Sequence, residues 1–127
     1  MISVGGTSLT RNGSTWDEVA WPGSGGGISS YETEPGYQIA YGITATGRGI
    51  PDVSFDADPC TVVAVYDSTP VQGSADWFVV GGTSLGAPAW SAIMVLADQG
   101  RPASLTDGHD ALYQLASGAA YAPSSAP

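Results

Sequence analysis

An α/β fold is predicted by three features of the sequence. Two short apolar runs, residues 62–66 and 77–80, read as strands buried on both faces. The run from Ala89 to Ala97 is apolar on nearly every side and reads as a central buried helix opened by Pro88. A second helical stretch covers residues 107–117, with Leu112, Tyr113 and Leu115 offering apolar contacts.

Composition bounds the possibilities. A chain of 127 residues fits one domain, and 43% hydrophobic content argues against disorder. The net charge is -9, with no lysine and only Arg11, Arg48 and Arg101 as permanent cations. No basic patch could neutralise phosphates, so neither nucleic acid nor an anionic membrane surface is an expected partner. Such an acidic balance loses its charge at low pH, which suits an acidic medium. Cys60 is the single cysteine, cannot form an internal disulfide, and reads as a small, partly buried filler beside a strand. No signal peptide or membrane span is read at Met1 or beyond, and the expectation is that the protein has further sequence upstream.

From the N-terminus, residues 2–9 read as a strand and Arg11-Asn12-Gly13-Ser14 as a hairpin turn, with residues 16–21 returning. Asp17 and Glu18 belong to its solvated edge. Residues 22–30 form a glycine-rich loop, where a phosphate cradle of the Walker type is excluded by the missing lysine. Residues 37–41 suit a short helical turn or an irregular connector, and 42–49 a loop in which Arg48 pairs with a nearby aspartate. Asp52, Asp56 and Asp58 alternate as calcium ligands can, but each sits in a turn-like stretch, and no metal is assigned to them. Residues 67–76 are expected to connect the two apolar strands. Gly100 and Pro102 end the long helix in the usual order.

The chemistry centres on Val79-Val80-Gly81-Gly82-Thr83-Ser84-Leu85-Gly86-Ala87-Pro88. A serine at a helix N-terminus has unpaired backbone N–H groups and the positive end of the helix dipole beside it, an arrangement that stabilises negative charge on a bound carbonyl. Ser84 is therefore the candidate nucleophile, although the same residues also suit a plain turn and N-cap. Val4 to Leu9 repeats Val80 to Leu85 letter for letter, which makes Ser8 a rival. Ser8 runs into a hairpin rather than a helix and reads as structural. His109, the only histidine, lies in a polar helix start without a recognisable histidine active-site motif. It reads as a surface residue.

The stretch Gly82-Thr83-Ser84-Leu85-Gly86-Ala87-Pro88 resembles the Gly-Thr-Ser-x-x-x-Pro signature around the nucleophile of subtilisin-like proteases. Two further stretches select one branch. Ser24-Gly25-Gly26-Gly27-Ile28-Ser29, followed by Pro35 and Tyr37-Gln38, resembles the Ser-Gly-Gly-Gly-Phe-Ser and Pro-x-Tyr-Gln segment of the sedolisins, the serine-carboxyl peptidases. Arg48-Gly49-Ile50-Pro51-Asp52-Val53-Ser54, running on through Asp56-Ala57-Asp58-Pro59, resembles their Arg-x-x-Pro-Asp-Val-Ser segment. The three occur in family order.

The resemblance implies a partial subtilisin-like α/β fold with a mostly parallel sheet, residues 1–127 forming the C-terminal part of one catalytic domain. It implies an extracellular, acid-active endopeptidase acting on peptides or proteins, with Ser84 as nucleophile and its backbone N–H in the oxyanion hole. Ser24, Gly25, Gly26 and Gly27 become candidate substrate contacts, since glycine backbone can pair with an extended peptide; a purely structural turn fits them equally. The family's base is a glutamate with an aspartate four residues on, and Glu32 and Glu34 do not match, being followed at that distance by Gly36 and Gln38. Both read as exposed loop charges. The resemblance thus places the Glu-x-x-x-Asp helix and the oxyanion aspartate upstream of Met1. The family's calcium segment is not seen in the sequence through residues 119–127, so no cofactor is expected here. Three functions stay open: the nucleophile-bearing part of an endopeptidase, a non-catalytic peptide-binding or interaction remnant, and one half of a split protease whose N-terminal half is another chain.

Overall fold

The computed structural model describes residues 1–43, 45–71 and 73–118. The tail at 119–127, where the calcium segment was sought, lies outside them.

The first hairpin forms as its sequence dictates. Strand β1 (Val4–Asn12) turns at Gly13, whose φ of 63° suits glycine, and returns as β2 (Thr15–Ala20). The register runs from Asn12↔Thr15 to Thr7↔Ala20. The short strands β3 (Gly27–Ile28) and β4 (Gly49–Ile50) pair antiparallel and enclose helix α1 (Gly36–Tyr41), so residues 37–41 are helical. Strand β5 (Val53–Asp56) then lies parallel to the start of β1, from Val4↔Val53 to Thr7↔Asp56. The sheet order is β2-β1-β5, with Gly5 to Ser8 of β1 buried at its centre.

Strands β6 (Ala64–Val71) and β7 (Ser74–Val79) make a separate antiparallel hairpin. Helix α2 (Thr83–Asp98) crosses the sheet, and α3 (Gly108–Ser117) packs on α1. The register of α2 on the sheet is fixed at two points. Gly86 sits where a Cβ would lie 2.8 Å from Val4 Cγ1 and 3.0 Å from Phe55 Cβ. The Trp90 indole N–H donates to the Ser54 carbonyl at 2.8 Å. Replacing Gly86 by valine should force helix and sheet apart and lower stability by about 2 kcal/mol. A urea-unfolding midpoint equal to that of the parent chain would refute this packing.

The α/β class holds, while several expectations are corrected. Among the described residues the only parallel pairing is β1 with β5, so the sheet is mixed rather than mostly parallel. The strands at 62–66 and 77–80 are not buried, because among the described residues their hairpin pairs only with itself: Tyr66 is 56% and Trp77 65% exposed. The connection expected over 67–76 is mostly strand, since β6 continues to Val71 and β7 starts at Ser74. Helix α2 begins at Thr83, five residues before Pro88, and Gly86 is its one buried residue. It is therefore not a buried central helix here: the sheet covers one side, and Val95 and Leu96 on other sides remain more than 60% exposed. Cys60 lies exposed in a turn rather than packed beside a strand.

A buried polar cluster ties the N-terminal strand to the helical side. The Asp52 side chain is fully buried. It accepts hydrogen bonds from the Ser3 amide (2.8 Å), Arg48 Nη2 (2.7 Å) and the Tyr113 hydroxyl (3.2 Å). Arg48 also reaches the Met1 carbonyl and Glu32. Gln38, 1% exposed, exchanges hydrogen bonds with the Gly49 backbone and donates to the Tyr113 hydroxyl. Burial opposes the Arg48 charge, but Asp52 outweighs it, aided by Tyr37 and Glu32, and the guanidinium pKa is raised. Arg48 thus has its expected aspartate partner, and the pair sits in the interior rather than on a loop surface.

Candidate active site

Ser84 occupies the second position of α2 and is exposed to solvent. The chain enters the helix through Gly82, whose φ of 98° and ψ of 159° are open to glycine and strained for other residues. The Gly82 amide donates to the Ala57 carbonyl at 2.6 Å, and Gly81 lies so close to Ala57 and Pro59 that a Cβ would collide with both. These contacts anchor the helix start against the end of β5. The amides of Thr83 and Ser84 have no backbone acceptor among the described residues, as the first turn of any helix requires. Pro88, inside the helix, has no N–H to donate to the Ser84 carbonyl one turn earlier. A hydroxyl and unpaired amides therefore share one exposed helix start, the arrangement needed to attack a carbonyl and hold the resulting oxyanion.

The three glutamates are engaged elsewhere. Glu18 accepts from the Thr7 hydroxyl, Glu32 pairs with Arg48, and Glu34 accepts from the Ala45 amide. Glu32 is exposed as expected, whereas Glu34 is partly buried, with Oε1 left unpartnered. His109 is not a simple surface residue. Its ring stacks on Tyr37 at 5.0 Å, Nε2 lies 2.8 Å from the Met1 carbonyl, and Asp52 is 3.7 Å away. Gly108, beside it, packs on Met94, ten residues past Ser84 and thus about 15 Å along the helix.

The glycine-rich segment divides between structure and open backbone. Ser24 Oγ accepts from the Gly6 amide at 2.9 Å, and Gly26 packs tightly against the Ile50 carbonyl and Pro51. Gly27 pairs with Ile50 in the β3–β4 ladder. Gly25 and Gly27 have open space where a side chain would be. Ser24, Gly25 and Gly26 line a cavity of about 510 Å³ with Trp21, Pro51 and Ser54. Ser84 is not among the residues lining it, so the two sets of candidates do not share a cavity.

Ser8 has a partner that the sequence did not reveal. It is 8% exposed and donates to Asp58 Oδ2 at 2.7 Å, while Asp58 Oδ1 accepts from the Cys60 amide. Asp56 accepts from the Thr61 hydroxyl, so Asp52, Asp56 and Asp58 each serve a different partner. No group of three or more metal-ligating side chains converges among the described residues. The Cys60 amide and the Ser8 hydroxyl hold the Asp58 carboxyl below its ordinary 3.8. A depressed folded-state pKa stabilises the fold above the ordinary value and stops doing so as pH falls through the lowered one. Ser8→Ala should therefore raise the Asp58 pKa, seen by carboxyl NMR titration, and weaken the fold at neutral pH but not in strong acid. An unmoved titration would exclude the bond.

No family model matches the chain. Over 100 residues it is 35% identical to sedolisin of Pseudomonas sp. (strain 101), covering 69% of this chain and 16% of that protein. Xanthomonalisin of Xanthomonas sp. (strain T-22) is 34% identical over 107 residues, covering 69% and 12%. Kumamolisin of Bacillus sp. (strain MN-32) is 30% identical over 131 residues, covering 91% and 22%. The chain spans less than a quarter of the length of each of these relatives. Among solved structures it matches Pseudomonas sedolisin, a serine-carboxyl proteinase in complex with two molecules of pseudo-iodotyrostatin. The TM-score is 0.68 at 26% identity, over 91% of this chain and 33% of that one.

Proposed function

Since the chain belongs to the sedolisin family of serine-carboxyl peptidases, we propose that it is the nucleophile-bearing part of an acid-active serine endopeptidase. Ser84 attacks the scissile carbonyl of a peptide, and its own amide helps hold the oxyanion. The observation that carries this reading is the exposed Ser84 at the first turn of α2, within the Gly-Thr-Ser-x-x-x-Pro match. A glutamate from outside this chain takes the serine proton, and an aspartate from outside it completes the oxyanion site. In acid a carboxylate base with an ordinary pKa of about 4 remains ionised where imidazole is already charged. Substrate is a peptide or protein, met outside the cell. Ser24 to Gly27 contribute backbone to its binding through Gly25 and Gly27, which are open.

The missing carboxylates come from an upstream segment of the same protein or, in a split protease, from another chain. The exposed apolar sides of α2 and of the β6–β7 hairpin favour either form of completion over a self-sufficient domain. The test is to assay hydrolysis of a denatured protein in acid by this chain alone, and then joined to or mixed with an N-terminal sedolisin portion carrying the Glu-x-x-x-Asp helix. Activity is expected only from the combination. Peptide binding without hydrolysis in every combination would establish the non-catalytic remnant instead.

A further inference from the structure

A second cavity, of about 580 Å³, opens between α1 and α3. Its walls include Tyr37, Tyr41 and Tyr113, with Asp107 and Asp110 from the start of α3. The rings pack on one another: Tyr37, which also stacks on the His109 ring at 5.0 Å, lies 4.9 Å from Tyr113 and tilted to it, and Tyr41 meets Tyr113 edge-on at 5.6 Å. Arginine is the only permanently charged basic residue in the chain, and each of its three copies is engaged elsewhere. Arg48 serves Asp52 and Glu32, Arg101 lies beside Asp98, and Arg11 bonds to the Gly13 carbonyl. Among the described residues neither Asp107 nor Asp110 is paired with an arginine. Asp107 caps α3 by accepting from the Asp110 amide, and among the described residues the Asp110 carboxylate has no hydrogen-bond partner.

We propose that this cavity binds the guanidinium group of an arginine side chain presented by another polypeptide. A flat, weakly hydrated cation stacks on tyrosine faces, and its fork of N–H donors matches carboxylates better than a compact ammonium does. Ser84 is not among the residues lining this cavity, so the proposal does not depend on the peptidase reading.

The test is an NMR titration of the 127-residue chain, following the tyrosine ring signals. The probe is Nα-acetyl-arginine methylamide, compared with its neutral citrulline and its lysine counterparts. Saturable shifts of Tyr37, Tyr41 and Tyr113 are expected with the arginine probe, about tenfold weaker binding with citrulline, and weaker binding with lysine. The double variant D107N/D110N keeps a capping side chain at 107 and should lose about tenfold in affinity with an unchanged circular dichroism spectrum. Ser84→Ala should leave the titration as it was. The proposal is overturned by an absence of saturable shifts, by citrulline or lysine binding equally well, or by unchanged affinity in D107N/D110N.

Discussion

Ser84→Ala is expected to lower hydrolysis by roughly a thousandfold or more in the completed enzyme, while leaving folding intact. The substitution removes only a hydroxyl from an exposed position, and alanine favours a helix. The first-turn amides and the Gly82 entry remain in place, so a residual rate from binding and the oxyanion site would persist. The duplicated Val-Gly-Gly-Thr-Ser-Leu stretch supplies an internal comparison, because Ser8 sits in the same six residues on a strand. Its hydroxyl is buried and bonded to Asp58, and Ser8→Ala should act on stability rather than on chemistry. Unaltered hydrolysis after Ser84→Ala, with loss after Ser8→Ala in a protein that still folds, would reverse the assignment.

Asp52→Ala carries the second large effect, a destabilisation of about 3 kcal/mol or more. The fully buried carboxylate faces Arg48, whose side chain is only 15% exposed, and it also accepts from Ser3 and Tyr113. Removing it leaves Arg48 with only the exposed Glu32 as counter-charge and deprives two further donors of their acceptor, where total stabilities are only about 5–15 kcal/mol. A chain at the low end of that range would keep only about 2 kcal/mol of stability. The cost belongs to breaking the pair more than to the worth of the pair itself, so Arg48→Met with Asp52→Leu should be less damaging than Asp52→Ala alone. Urea denaturation followed by circular dichroism measures both. A loss below about 1 kcal/mol in Asp52→Ala would mean that the carboxylate is solvated in solution.

Several features of the protein were legible in the sequence because their signals are local. Asn12-Gly13 fixes the first hairpin, Asp107 starts α3, and Ser84 belongs to a helix start through its neighbouring glycines and Pro88. The order of three short motifs was enough to identify the family without any contact being known. Arg48 and its aspartate are four residues apart, close enough to be paired on paper.

Tertiary structure decided whatever depends on what lies opposite a residue. Apolar composition cannot say whether a run is covered, and the β6–β7 hairpin and most of α2 are not, since only one face of α2 meets the sheet. Pro88 reads as a helix opener, yet the contacts of Gly81 and Gly82 with Ala57 and Pro59 start the helix five residues earlier. Ser8 meets Asp58 across fifty residues, and His109 meets Met1 across most of the chain. A residue's type and its near neighbours set the conformations open to it, but burial and pairing are properties of surfaces brought together from distant segments, and those were settled only when the chain folded.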